Sequence, residues 1–193
     1  MIKKTVVKSL TAVIVVLFLT VTGAAADNWL MINEIHYNPA DTELEFVELH
    51  NAGPVELLLD DYLGLEIDDD VELTFPVGST MQPGEYIACV NDATDPRWTE
   101  VSFQVFELDS GVLANSGDKI NLLSPSCGSL NLEDTVTYDN YAPWPEDGKN
   151  GYDEELHSIE LINPNLDNDN GANWAGSSVV GGTPGAQNSV YTP

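Results

Sequence analysis

Ile32-Asn33-Glu34-Ile35-His36-Tyr37-Asn38-Pro39, a short acidic spacer, and then Glu45-Phe46-Val47-Glu48-Leu49-His50-Asn51 is the stretch whose reading decides the fold. Residues 31–37 and 45–50 mix β-branched, aromatic and aliphatic side chains with polar ones, a composition that favours strands. Asn38-Pro39 ends the first, because proline donates nothing to a ladder and Asn-Pro opens turns. Asn51-Ala52-Gly53-Pro54 ends the second in the same way. Side chains alternate faces along a strand. Glu34 and His36 therefore share a face of the first strand, and Glu48 and His50 share a face of the second.

Outward from this pair, short apolar runs recur with turn residues between them. Residues 57–59, 63–67, 71–75, 85–90, 103–108, 119–123, 136–138 and 158–162 read as strands. Turns are expected at 76–79, 82–84, 110–111, 115–118 and 124–129, with Gly53, Gly84 and Gly117 at positions needing positive φ. No heptad repeat and no sustained helical period interrupts the pattern. Many short strands at this spacing predict an all-β, antiparallel sandwich or barrel.

Residues 1–26 read as an export signal. Lys3, Lys4 and Lys8 precede an apolar run from Leu10 to Val21, and Ala24-Ala25-Ala26 follows as a cleavage site. The run is short for a bilayer span, which needs about 20 apolar residues. One domain is then expected at 27–188, with a tail at 189–193 that frays. The expected location is extracellular or in the cell envelope, the periplasm included, with no membrane attachment after cleavage.

The chain has 32 Asp and Glu against six Lys and Arg, a formal net charge of −26. Three of those six cations lie in the signal. Such a surface repels phosphate backbones and anionic bilayers, which argues against nucleic-acid and membrane partners.

The order of motifs also resembles the lamin-tail domain family, an immunoglobulin-like β-sandwich found in nuclear lamins and in many secreted bacterial proteins. Asn33-Glu34-Ile35, Tyr37-Asn38-Pro39, Glu45 to Leu49 and Asn51 are similar to its opening. Met81 to Tyr86 looks like its turn into a central strand, and Leu113 to Asp118 like its Leu-x-Asn-x-Gly-Asp hairpin. Trp144-Pro145, Asn173-Trp174 and Gly182-Thr183-Pro184-Gly185-Ala186-Gln187-Asn188 resemble later family motifs. The resemblance implies structural roles for Glu34, Tyr37, Pro39, Phe46, Glu48, Asn51, Trp144, Trp174, Gly182 and Pro184, and it supplies no catalytic site. No helical rod accompanies the domain, so filament assembly is not implied.

Candidate chemistry is sparse. Glu34, His36, Glu48 and His50 would suit zinc if their strands paired in the right register; the plainer expectation is a polar, solvent-facing sheet surface with the glutamates held by backbone donors. No Gly-x-Ser-x-Gly elbow occurs. A carboxylate pair for glycoside hydrolysis is always available in so acidic a chain and carries no information. Asp167-Asn168-Asp169-Asn170-Gly171 alternates hard oxygen donors before a glycine, so Asp167, Asp169 and Asn170 are the candidate calcium ligands. Turn capping explains that loop equally well, and Glu146-Asp147-Gly148 with Asp153 is a second candidate. Cys89 and Cys127 are expected to bridge in an oxidising compartment. Exposed aromatics such as Tyr141 or Trp98 would serve a binding surface. The expected role is a secreted, non-catalytic module for binding, adhesion or scaffolding, with an extracellular polymer or surface protein as partner. The alternative is a small secreted hydrolase, metal-dependent or not, or an accessory subunit of one.

Overall fold

The computed structural model describes residues 29–62, 64–109, 113–126, 129–146 and 157–193. The expected signal, Cys127, and Asp147, Gly148 and Asp153 of the second acidic loop lie outside them.

The opening pair forms strands β1 (Leu30–His36) and β2 (Phe46–Asn51). β3 (Leu57–Leu58), β4 (Gly64–Ile67), β5 (Asp70–Leu73), β6 (Thr80–Met81) and β7 (Tyr86–Val90) follow. Then come a short helix α1 (Pro96–Thr99), β8 (Gln104–Glu107), the long hairpin β9 (Gly117–Ser126) and β10 (Ser129–Asp139), and lastly β11 (Ile159–Leu161) and β12 (Trp174–Gly176). One sheet has the order β12-β11-β1-β2-β7-β8 and the other β10-β9-β4-β5, with β3 and β6 pairing separately. The last two strands dock beside the first, which places β1 in the sheet interior.

The antiparallel expectation needs one correction. β7 and β8 run parallel, because the chain between them crosses over through α1 instead of turning back tightly. Asp95 caps α1 by accepting from Arg97 N, and Pro96 starts it.

Alternation along β1 and β2 separates two faces. Leu30, Ile32, Ile35, Val47 and Leu49 enter the core with Leu65, Ile120, Leu122 and Val136 of the facing sheet. Tyr37 stacks on Tyr138 with centroids 4.8 Å apart, and Trp144 packs on Trp174 at 5.7 Å. Both tryptophans and Pro39 are buried. Asn51 is a staple: its Nδ2 faces the carbonyls of Val55, Met81 and Gln82, and its Oδ1 accepts from Gly53 N. Gly84 and Gly117 have positive φ, but Gly53 does not. Gly53 is there for closeness instead, since a Cβ would stand 2.4 Å from the Trp29 ring.

Of the expected disulfide, only the Cys89 end lies within the described residues. Cys89 is a free thiol, fully buried on the core face of β7, and burial pushes its pKa well above the ordinary thiol range.

Candidate functional site

The other face of the six-stranded sheet carries the polar residues, and a bulge decides which. Pairing runs Ile32↔Leu49 and then Glu34↔Glu48, so Asn33 is the extra residue. A bulge re-aims side chains. Asn33 and Glu34 consequently both reach partners on the outer face, while Ile32 and Ile35 stay in the core. Beside the bulge, the Ile32 main chain is held by side chains from β10 and a later loop. Asp134 Oδ2 accepts from Ile32 N at 2.7 Å, and Asn168 Nδ2 donates to Ile32 O at 3.1 Å and to Asp134 Oδ2 at 2.8 Å. Burial lifts the Asp134 carboxyl to about 6.

Asn168 sits in the loop expected to hold calcium. There, Asp169 Oδ1 accepts from Thr137 N, Asp167 Oδ1 from Asp169 N, and Asn170 Oδ1 from Ala172 N. Trp174 Nε1 donates to Asn168 O. The loop fastens β10 and β12 to β1 through these bonds. Among the described residues no group of three His, Cys, Asp or Glu is arranged for a metal ion. Melting in calcium against magnesium at equal ionic strength tests whether an ion adds to the fastening.

Three glutamates stand in a row across the outer face, Glu160 opposite Glu34 and Glu34 opposite Glu48. They are not solvent-facing, as the sequence suggested; all three are wholly buried. Their cover is the C-terminal segment. Glu34 Oε1 accepts from Ser158 Oγ and from Thr183 N at 2.9 Å. Glu48 accepts from Asn33 Nδ2 at 2.8 Å and Gly185 N at 2.6 Å. Glu160 Oε2 accepts from Ser189 Oγ and Val190 N. The Thr183 hydroxyl lies between Glu34 Oε2 at 3.2 Å and Glu160 Oε1 at 2.9 Å. One hydroxyl has one hydrogen to donate. For both contacts to be hydrogen bonds, one of the two carboxyls must hold a proton, and burial favours Glu34 as its holder. Burial first, and the nearby Glu160 charge, raise Glu34 to about 7; burial and Glu34 raise Glu48 as well.

The tail expected to fray is therefore tied down. Besides the bonds to Glu160, Thr192 N donates to Ile162 O, and Asn163 Nδ2 donates to Thr192 O.

The histidines do not join the glutamates. His36 lies opposite Phe46 and packs edge-on against it at 5.6 Å. Phe46 in turn meets Trp98, Ala88 and Val90 in a small second core. Trp98 is thus buried, not an exposed binding aromatic, whereas Tyr141 is exposed. Both ring nitrogens of His36 lack a partner, and burial, then Arg97 and His157, lower its pKa to about 4. A buried polar group without a partner costs about 1–3 kcal/mol. His36→Phe should therefore raise stability by about 1–2 kcal/mol at pH 7. A urea midpoint below that of the unaltered protein would show that the imidazole has a role the geometry does not display.

At the other end of β2, His50 stacks on Tyr86 at 4.1 Å, nearly parallel. His50 Nδ1 bonds Glu85 O at 3.1 Å, so it carries the hydrogen and Nε2 is left as an acceptor. Burial lowers the His50 pKa, which keeps the ring neutral. These two rings line a pocket of about 200 Å³ together with Leu161, Pro164, Gln187 and Tyr191. Asn33 and Asn188 complete its wall and lock to each other: Asn33 Nδ2 donates to Asn188 Oδ1 at 2.6 Å, and Asn188 Nδ2 to Asn33 O and Leu161 O. Of the pocket's residues the sequence offered only His50 as a site candidate, and then for zinc. The signal present in the sequence was the period-two run Phe46, Glu48, His50, which puts His50 on the outer face.

The molecule is an immunoglobulin-like β-sandwich whose outer face is sealed by its own C-terminal segment. The chain belongs to the lamin tail domain family: the Lamin Tail Domain family model matches residues 23–140. That match stops short of β11, β12 and the segment that covers the glutamates. No curated protein matches the chain.

Proposed function

We propose that this domain is a secreted, non-catalytic binding module that takes its ligand in the pocket beside His50 and Tyr86. The observation that carries this reading is how the carboxyl groups are used. Hydrolytic chemistry needs an acid or base within reach of a substrate. The three clustered glutamates are buried beneath main chain, and protein donors occupy their oxygens. Their role is to hold Gln187, Asn188 and Tyr191 in place as one wall of the pocket. A concave site with aromatic rings and a few fixed polar groups is the usual form of a ligand site. Export, inferred from the leading segment, would present it to extracellular polymers or surface proteins.

The test is retention. Purified protein is passed over insoluble polymers and surface fractions from the producing culture, beside a Tyr86→Ala/Tyr191→Ala variant checked for an unchanged fold by circular dichroism. One fraction should retain the unaltered protein and release the variant. Equal retention of both would overturn the pocket as the site. Soluble fragments accumulating with time would overturn the non-catalytic reading.

A further inference from the structure

Resting on that reading, we infer that the pocket formed by His50, Tyr86, Leu161, Pro164, Gln187 and Tyr191 binds one uncharged sugar ring of a neutral polysaccharide. Size is the first reason. Pockets for drug-sized ligands enclose about 300–1,000 Å³; at about 200 Å³ this one takes a single ring.

Charge is the second reason. The chain holds 32 acids, yet no Asp, Glu, Lys or Arg lines the pocket. An anionic ligand would find no cationic partner here, and the acidic surface would repel it. An ammonium ligand binds where ring faces surround it. Here His50 and Tyr86 each cover one face of the other, so the box is not formed.

Hydrogen-bonding capacity is the third. His50 Nε2 is an acceptor, because Nδ1 is committed to Glu85 O. Gln187 carries both an amide donor and a carbonyl acceptor, and the tyrosine hydroxyls can be either. That mixture matches hydroxyl groups, which themselves both give and accept. Leu161, Pro164 and the tyrosine rings supply the apolar contact for the C–H face of a sugar. Tyr191, the most exposed of the rings, forms the rim.

Calorimetric titration of the full exported chain tests this with four probes: cellohexaose, mannohexaose, a polygalacturonate oligomer and choline. At least one of the two neutral oligosaccharides should bind. Tyr191→Ala and, separately, Gln187→Ala should each weaken it at least tenfold, with circular dichroism unchanged. Both side chains are at the surface, so both variants should fold. Binding of choline or of the anionic oligomer, in place of the neutral ones, would overturn the inference. So would retention on a culture fraction that depends on the pocket but is not competed by either neutral oligosaccharide; the pocket would then remain the site while its ligand is not a sugar. Retention that ignores the pocket substitutions would defeat the functional reading itself.

Discussion

Gly182→Ala should cost about 3–4 kcal/mol of stability, combining left-handed strain of about 1–2 kcal/mol with damage to a buried hydrogen-bond network. Gly182 has a φ of +82°, and a Cβ there would stand 2.1 Å from Glu34 Oε1 and 2.7 Å from Ser158 Oγ. The Glu34 carboxyl is fully enclosed and cannot step aside without losing Thr183 and Ser158. Gly181 provides the control. Its φ is +79°, but a Cβ would meet nothing within 4 Å. Gly181→Ala should therefore cost only the strain, about 1–2 kcal/mol. Urea unfolding of the two variants separates the effects, and equal losses would mean that the carboxyl row does not depend on the segment above it.

The second large effect is on pH. Glu34 titrates at about 7 in the folded protein against about 4.5 when unfolded. Between those values the folded state keeps a proton that the unfolded state has released. Its contribution is complete below pH 4.5 and is lost as pH rises through 7. At about 1.4 kcal/mol per pKa unit this amounts to roughly 3 kcal/mol. Glu45, Glu48 and Asp134 act in the same direction. His36 opposes them: held near 4 against 6.5 unfolded, it removes stability as pH falls from 6.5 toward 4. His50 adds to that opposition. Four carboxyls outweigh two imidazoles, so the protein should be about 2 kcal/mol more stable at pH 5 than at pH 8. The groups around Glu34 are Glu160, Glu48, Ser158 and Thr183, and no cation is among them to reverse the sign. Denaturant midpoints at pH 5, 6.5 and 8 in high salt, which screens the exposed acids, provide the measurement. His36→Phe should steepen the gain toward pH 5. Stability that climbs toward pH 8 would refute the assignment of a proton to Glu34.

The strands were legible because punctuation and alternation are local properties. The runs at 45–50, 85–90 and 119–123 each correspond to an observed strand. Glu34, Glu48 and Gly182 stood out as motif residues, but nothing in their order shows that they touch. Their meeting depends on a bulge at Asn33 and on strands added from the far end of the chain. Neither leaves a short-range trace. The same holds for the pocket, whose His50, Tyr86 and Tyr191 come from three separate elements. Residues 189–193 look like a loose end, being short, yet Ser189 and Val190 bond a carboxylate that β11 supplies. Trp98 was misread because α1 turns an isolated aromatic down onto Phe46, and four residues are too few to show helical periodicity.

The position of β1 constrains how the molecule can be made. Asn33 bonds Asn188, 155 residues later in the chain, and Glu34 bonds Thr183 across 149. A strand made early is completed by residues made much later. Contacts of such separation slow folding, since a long loop must close before they form. Until residues 183–185 arrive, the outer face of β1 and β2 would expose two carboxyl groups, Glu34 and Glu48, without the donors of Thr183 and Gly185, an arrangement that favours solvent over burial. The outer face of β1 and β2 is therefore sealed late, by residues far downstream of the strands they cover.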